Sequence, residues 1–422
     1  MSFTFVDLFA GCGGLSLGLI QAGGRGLLAV EKTPSAFQTL YSNLGDPAGP
    51  FSGFDWTPLI PAKAMTTSEL LSTYGNQLKK LSTNVDVVAG GPPCQGFSIY
   101  GRRNKDDARN QLYLEYLKVV EELNPKVVLL ENVTGIDMPF LMANEKVSKQ
   151  SKDTVADRIV SKLKTLGYKT TAFSLCASDF GVPQKRKRFF VVAAKTQTDI
   201  TALFSTSYIE ALRIEFLKTL SLSPTQKVSV SEAISDLEIT GKKLNICIDM
   251  PNRKEIAYDG PKTAYQRLMH KGLSDLAPAN SMRLAKHTSS VVAKFQLIQR
   301  LGTPGRNIDS AMKEQLKTVK QRIHLLDPKM PSPTVTTLPD DLVHYSEPRI
   351  LTVRELARLQ SFPDWFGFSG PYTTGGARRS KECPRFTQVG NAVPVLLAQF
   401  MGRYVSDILE NIHVHEALPL AA

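Results

Sequence analysis

The stretch FTFVDLFAGCGGLSLGLIQA, residues 3–22, decides the fold predicted for this chain. Its first seven residues are apolar apart from Thr4 and Asp7, a pattern typical of a buried β-strand. The glycine-rich turn AGCGG follows at once, and the apolar periodicity of LSLGLIQA predicts a helix. A strand, a tight glycine turn and a helix together form the first half of a nucleotide-binding βαβ unit.

The second predicted strand, residues 26–30, runs directly into Glu31. An acidic residue at the end of the second strand can accept hydrogen bonds from both hydroxyls of a ribose. Gly11 and Gly13 let the backbone approach a ligand closely, and the helix after them offers free amides. The turn is not a full GxGxxG, so the glycines and Glu31 together predict an adenosine-containing cofactor without naming it.

A third feature is the stretch GGPPCQGFS, residues 90–98, which follows the apolar run 85–89. Pro92 and Pro93 lack amide hydrogens and have fixed φ angles, so neither a helix nor a paired strand continues through them. The chain must turn out at the end of the strand and present Cys94 in a stiff loop. Reacting groups in open α/β sheets gather at such carboxyl ends, although a chance cysteine in a Pro-Gly turn fits the same pattern.

Strands and helices continue to alternate through residue 194, which predicts an α/β fold with a doubly wound, mainly parallel sheet. The predicted helices are 68–81, 112–123 and 153–166, and the predicted strands are 126–130, 169–175 and 188–194. The alternation stops at about residue 199. Regular structure resumes at Thr352, which forms a capping box with Glu355 at the start of helix 353–360. A closing helix is expected to reach about residue 409.

Composition limits the function classes. The five cysteines are scattered and show no CxxC spacing, which argues against a zinc site or a disulfide framework and favours a reducing, cytoplasmic setting. No secretory signal and no apolar run long enough for a membrane span is evident. The formal net charge is +12, and residues 241–330 hold 17 Lys and Arg against 7 Asp and Glu. This concentration of charge favours a nucleic-acid partner, although a solvated basic surface would look the same.

Six segments, taken in order, closely resemble the cytosine-5 DNA methyltransferases of prokaryotic restriction-modification systems. They are FVDLFAGCGGLSLG (5–18), GGPPCQGFS (90–98), ENV (131–133), QKRKR (184–188), RELARLQSFP (354–363) and QVGNAVP (388–394). The resemblance implies a Rossmann-like catalytic domain that uses S-adenosyl-L-methionine. It covers nearly all of the chain outside residues 199–330.

The resemblance implies a covalent mechanism. Cys94 is the expected nucleophile toward carbon 6 of cytosine, because a thiolate is strongly nucleophilic even when it is a small fraction of the thiol. Glu131 is expected to hydrogen-bond N3 of the base, and Arg188 to contact O2 and hold Glu131. Arg186 is expected near the phosphate backbone. Since Arg186 and Arg188 stand two apart, they are predicted to share one face of a strand.

The resemblance also implies the remaining contacts. The residues expected to contact the cofactor are Phe9, Gly11, Gly13, Glu31, Asp55, Pro92, Leu112, Asn391 and Ala392. Phe9 would lie against the adenine and Asp55 would contact its amino group. Gln95, Ser98 and Arg186 are expected to contact DNA, and the charged loop 99–110 to close over a base flipped from the duplex. No bound metal is expected.

The expected organisation is a large domain of residues 1–198 and 346–422, with a smaller target-recognition domain of residues 199–345. The protein is expected to be a cytoplasmic monomer acting on double-stranded DNA, with any cognate restriction endonuclease a separate protein. The alternatives are a tRNA cytosine-5 methyltransferase, disfavoured because the chain has no Cys-Phe-Thr signature, and a catalytically silent DNA-binding relative. A dinucleotide-dependent oxidoreductase would leave Cys94, Glu131 and Arg188 without roles. The DNA sequence recognised does not follow from the residues.

Overall fold

Two units divide the chain in the computed structural model, which describes residues 1–93, 111–138, 154–376 and 382–417, with side chains to residue 415. The first unit comprises Met1–Cys176, Lys187–Arg213 and Ala398–Ala422. The second comprises Ala177–Arg186 and Ile214–Leu397. Within the described ranges, no helix combines the length and apolar character needed to cross a membrane.

The strands are short and mostly buried. They are β1 (Phe3–Leu8), β2 (Gly24–Val30), β3 (Val87–Gly90), β4 (Val127–Asn132), β5 (Lys169–Cys176), β6 (Gln184–Lys185), β7 (Lys187–Ala194), β8 (Leu244–Ile246), β9 (Lys254–Ile256), β10 (His324–Leu325), β11 (Ser332–Pro333) and β12 (Leu342–Val343). The α-helices are α1 (Gly14–Gln21), α2 (Pro34–Leu40), α3 (Thr67–Leu81), α4 (Leu112–Leu123), α5 (Val155–Thr165), α6 (Thr206–Thr219), α7 (Val230–Ile234), α8 (Ala264–His270), α9 (Ser289–Leu301), α10 (Ser310–Gln315), α11 (Val353–Leu359), α12 (Arg385–Asn391) and α13 (Val395–Ala417).

A six-stranded sheet in the order β2-β1-β3-β4-β7-β5 organises the first unit. β1 pairs in parallel with β2 and β3, and β3 pairs in parallel with β4. β7 is antiparallel to both of its neighbours. The predicted doubly wound, mainly parallel sheet of a Rossmann-like methyltransferase is therefore confirmed.

Helices cover both faces of this sheet. On one face, α3, α4 and α5 pack their apolar side chains against Val6, Leu8, Val88, Val128 and Leu130 of the strands. On the other, α1 meets the closing helix α13 so closely that a Cβ on Gly18 would lie 2.4 Å from the Cβ of Ala398. Burial on both faces explains why these strands are nearly continuous apolar runs rather than alternating ones.

The second unit has its own core, and α11 belongs to it. Arg358 of α11 is fully buried, and its guanidinium binds the carboxylates of Asp236 and Asp364 at 3.0 and 2.7 Å. The hydroxyl of Tyr265 donates to the carbonyl of Arg358 at 2.7 Å. These contacts hold residues 346–397 in the second unit, whereas the sequence assigned them to the large domain. The compact units do not coincide with the predicted domains, whose bounds stay a prediction.

Candidate active site

The topological switch point of the sheet lies at β1, which has β2 on one side and β3 on the other. Connections from β1 and from β3 therefore leave the carboxyl edge of the sheet in opposite directions and leave a crevice between them. Ligands of open α/β sheets bind in such a crevice. The glycine turn, residues 9–13, follows β1 here, and the Gly91–Pro92 segment follows β3.

The glycine turn has an unusual backbone. Gly11 and Gly13 adopt left-handed φ angles of +57° and +94°, and Phe9 adopts +60°. This conformation is strained for a bulky side chain, and such strain tends to occur at functional sites. A Cβ on Gly11 would meet no atom within 4 Å, so the space beside that glycine is open. The sequence identified the glycines but gave no sign that Phe9 would be strained.

Glu31 is tied to the glycine turn. One carboxylate oxygen accepts the amide hydrogen of Gly11 at 3.1 Å, and the other accepts that of Thr33 at 2.7 Å. Each oxygen has a further lone pair, and the side chain is half-buried. The carboxylate can therefore accept additional hydrogen bonds beside the open space at Gly11, as ribose hydroxyls would require.

Asp7 is a buried carboxyl that the sequence noted only as a charge within a strand. It is 1% exposed, and one oxygen accepts the hydroxyl of Ser16 at 2.5 Å, while the other has no hydrogen-bond partner. The pKa of Asp7 is raised to about 7, chiefly by burial and to a smaller extent by the charges of Glu31 and Glu131, while hydrogen bonds from Ser16 act in the opposite direction. The carboxyl is thus poised between its neutral and ionised forms near neutral pH.

The register places three carboxyls on one face of the sheet. Asp7 aligns with Ala29 of β2 and Ala89 of β3, and Ala89 aligns with Leu129 of β4. Glu31 and Glu131 each lie two residues beyond these positions, so all three side chains point to the same side. A cationic ligand at this edge would be stabilised by their combined negative potential.

Glu131 ends β4 in a buried ion pair. Its Oε1 lies 2.8 Å from the Nε of Arg188 on β7, and each side chain is 10% exposed. A Cβ on Gly91 would lie 2.9 Å from Oε2 of Glu131, so only glycine fits beside this carboxylate. The pair therefore stands next to the segment that leads to Cys94.

Asn132 is a site residue that the sequence analysis missed. Its amide nitrogen donates to the carbonyl of Pro92 at 2.9 Å, and its Oδ1 accepts the amide hydrogen of Val133 at 2.9 Å. The end of β4 is thereby fastened to the proline turn. The sequence could have indicated Asn132 by its place directly after Glu131 in the ENV segment.

Asp55, predicted to contact the adenine, does not lie next to Glu31. Asp55 pairs with Arg25, whose Nε lies 2.9 Å from a carboxylate oxygen of Asp55. The backbone amide of Asp55 donates to the carbonyl of Gly26. Glu31 is five residues beyond Gly26, roughly 16 Å along an extended strand. The chain beside Glu31 is instead at Met65, whose amide donates to the carbonyl of Glu31 at 2.9 Å. The structure thus does not bring Asp55 next to Glu31, and the adenine contact of Asp55 stays a prediction.

Arg186 also departs from expectation. It falls between β6 and β7 rather than on the strand of Arg188, and it is 3% exposed. Its guanidinium donates to the carbonyls of Val335 at 2.9 Å and Gly390 at 3.0 Å. These two hydrogen bonds fasten the side chain within the second unit, and the predicted contact with a DNA phosphate stays a prediction.

The other predicted contacts keep the status of predictions. Leu112 is half-buried at the start of α4 in the first unit. In the second unit, Asn391 is exposed at the end of α12 and Ala392 is buried directly after it. Cys94, Gln95, Ser98 and the loop 99–110 lie outside the described residues.

The described residues define a class of protein: an α/β protein with a glycine turn and an acceptor carboxylate at the switch point and a buried Glu–Arg pair. The family model of the C-5 cytosine-specific DNA methylases matches residues 3–407, and the chain belongs to that family. It is a DNA (cytosine-5-)-methyltransferase and uses S-adenosyl-L-methionine as its methyl donor.

Several characterised relatives are similar over nearly their whole length. The type II methyltransferase M.DdeI of Desulfomicrobium norvegicum is 31% identical over 423 residues, covering 97% of this chain and 90% of that protein. The type II methyltransferase M.AgeI of Thalassovita gelatinovora is 30% identical over 469 residues, covering 95% of this chain and 98% of that protein. A solved E. coli structure, a candidate DNA modification methyltransferase encoded within a prophage, has a TM-score of 0.64 at 24% identity, covering 97% of this chain and all of that one. The similarity to this solved structure supports the fold of the chain.

The site fits the cofactor. Glu31 has the free acceptor capacity for ribose hydroxyls, Gly11 borders open space, and the carboxyl-rich edge suits a cation. Bound S-adenosyl-L-methionine supplies an electrophilic methyl group on a sulfonium. Phe9, Gly11, Gly13 and Glu31 are the residues predicted to bind and orient that molecule.

Proposed function

We propose that the protein methylates carbon 5 of a cytosine flipped out of a specific duplex DNA sequence, through a transient bond from Cys94 to carbon 6. Addition of the thiolate breaks the aromaticity of the ring and makes carbon 5 nucleophilic. After methyl transfer the proton on carbon 5 leaves to water and the Cys94 thiolate is eliminated. Flipping is required because the atoms involved are inaccessible in a stacked duplex, and it costs a few kcal/mol.

The buried Glu131–Arg188 pair carries this proposal. Thiolate addition places charge on N3 of the cytosine, which a carboxyl group at hydrogen-bond distance stabilises. Glu131 lies beside Gly91, three residues before Cys94, and the 2.8 Å contact with Arg188 fixes its orientation. Nη1 of Arg188 donates to the carbonyl of Lys187 at 2.7 Å, which leaves Nη2 suited to the O2 of the base. A solvated basic patch would have no need to bury such a pair.

DNA recognition is assigned to residues 199–345, with Gln95 and Ser98 as further contacts. The segment 241–330 has a net charge of +10, which favours binding that weakens steeply with salt. The type II methyltransferases among its relatives support a restriction-modification setting. In that setting we expect a cytoplasmic monomer, with the cognate endonuclease acting as a separate protein.

A trapping experiment tests the mechanism. DNA carrying 5-fluorocytosine cannot release a proton from carbon 5, so the wild-type protein should remain covalently attached in denaturing gels, whereas Cys94→Ser should not. Glu131→Gln should form the adduct far more slowly while binding S-adenosyl-L-methionine normally. An adduct that persists in Cys94→Ser would overturn the assignment of the nucleophile. Methyl transfer to tRNA but not to duplex DNA would overturn the substrate.

A further inference from the structure

Within the described ranges, the buried Arg283 of the second unit has no anionic partner. Arg283 is 7% exposed, and its guanidinium carbon lies 4.3 Å from the ring centroid of Tyr372. Its Nε is buried without a hydrogen bond, and no other residue that the structure describes accepts one from its guanidinium. The stack on Tyr372 satisfies one face of the cation but none of its N–H donors.

A second arginine lies close to the first. Arg253 precedes β9, whose Glu255 forms a backbone bridge with Arg283, and the Nε of Arg253 is also buried without a hydrogen bond. Burial lowers the pKa of Arg283 below its usual value, and the charges of Arg253 and Arg385 lower it further. The two unpaired side chains thus repel each other in a partly desolvated place.

The carboxylates near Arg283, those of Asp249 and Glu255, accept hydrogen bonds from other groups. Arg385 lies 4.3 Å from the centroid of the same Tyr372 ring and binds the carboxylate of Asp249. The carboxylate of Glu255 accepts the amide hydrogen of Ile248 at 3.3 Å. Among the described residues, neither carboxylate forms an ion pair with Arg283. With Asp249 paired to Arg385, the described side chains leave two arginines, Arg253 and Arg283, beside the single carboxylate of Glu255, so the local charge is net positive.

Such an arrangement is unfavourable in the free protein, because burying an unpaired charge costs free energy. An arriving anion would recover that free energy. The planar guanidinium matches the oxygens of a phosphate, and its orientation here is already fixed by Tyr372, so little side-chain entropy is lost on binding. Duplex DNA is the polyanion on which this enzyme acts.

We propose that Arg283 and Arg253, positioned beside Tyr372, bind a backbone phosphate of the substrate DNA. This inference rests on the proposed function and names a contact within it. A phosphate contact holds the duplex in position and carries no sequence information itself.

The variant Arg283→Met tests the contact, with Arg300→Met as its matched control. Arg300 is an exposed arginine of α9 in the same basic segment. Binding to a fluorescein-labelled duplex of mixed sequence is measured by anisotropy over a range of salt concentrations, which requires no turnover. Loss of one phosphate contact should lower the slope of log affinity against log salt by about 0.9 and weaken binding roughly ten-fold. Arg300→Met should leave the slope unchanged.

Thermal stability separates a binding role from a structural one. If Arg283 serves the phosphate, Arg283→Met should melt at the wild-type temperature or above it, since a buried repulsion is removed. A lower melting temperature with an unchanged salt slope would show that Arg283 is only structural and would overturn the proposal. An equal loss of slope in Arg300→Met would overturn the proposal too. So would an Arg283→Met variant with an unchanged salt slope that methylates different DNA sequences, as read by bisulfite sequencing. Failure of the wild-type protein to trap 5-fluorocytosine DNA would count against the covalent mechanism alone.

Discussion

Replacing Asp7 with asparagine should change how the stability of the first unit depends on pH. Asp7 is fully buried and has an ordinary pKa of 3.8 that burial raises to about 7 in the folded state. The folded protein therefore holds the Asp7 proton more tightly than the unfolded chain does. The stabilisation from this proton is complete below about pH 4 and is lost as the pH rises to about 7.

The size of the effect follows from the two pKa values. Each unit of difference corresponds to about 1.4 kcal/mol, so the whole change is about 4 kcal/mol. Between pH 5 and pH 8 the ionisation of Asp7 should lower the free energy of unfolding by about 2.5 kcal/mol. Asparagine has nearly the same shape and does not titrate. The free energy of unfolding of Asp7→Asn minus that of the wild type should thus rise by about 2.5 kcal/mol over this range.

Urea unfolding at pH 5, 6, 7 and 8 measures this difference. The chain has two tryptophans, Trp56 in the first unit and Trp365 in the second. A Trp365→Phe background leaves Trp56 as the fluorescence reporter of the unit that contains Asp7. Asp55→Asn is the matched control, because its carboxylate is 61% exposed and its pair with Arg25 should contribute at most about 1 kcal/mol.

A stability difference between Asp7→Asn and the wild type that stays constant from pH 5 to pH 8 would refute the reasoning. It would mean that Asp7 keeps one protonation state throughout. A difference that falls with pH would be more serious, because it would show that the buried carboxylate is stabilised by a cation. A similar rise in Asp55→Asn would show that the effect is not specific to burial.

Three further outcomes follow from the geometry. Glu31→Gln should weaken S-adenosyl-L-methionine binding about ten-fold in calorimetry, since one charged acceptor for the ribose is lost, and unchanged affinity would contradict this. Gly390→Ala should destabilise the second unit by about 1–3 kcal/mol in scanning calorimetry, because its Cβ would lie 2.3 Å from the Thr336 carbonyl oxygen. The control is Gly375→Ala, whose Cβ would meet no atom within 4 Å and which should therefore melt at nearly the wild-type temperature. Arg358→Met should cost about 3–5 kcal/mol in the same assay by leaving its carboxylate partners unpaired, and a wild-type melting profile would contradict that role.

Local sequence rules were sufficient for the main elements of the first unit and for the start of α11 in the second. The helix predicted at 112–123 is Leu112–Leu123, and the capping box at Thr352 is present, with hydrogen bonds in both directions. Glu31 was predicted from its position after a strand, and its bonds to the glycine turn agree with that position. These features depend on residues near one another in the chain, so the sequence alone could determine them.

Only the tertiary structure decided which of these side chains meet. The sequence determined the α/β fold and the family, because strand periodicity, turn chemistry and motif order are written in neighbouring residues. The pairing of Arg188 with Glu131 was expected only from the resemblance to the family, and the structure places the two side chains in contact. The sequence did not determine that Asp55 bonds to Arg25 and Gly26 of β2, that Arg186 is buried, or that residues 346–397 join the second unit. Strand register and burial arise from packing between segments far apart in sequence. The shifted pKa of Asp7 has the same origin, since it comes from the depth at which β1 is buried and from carboxylates on other strands.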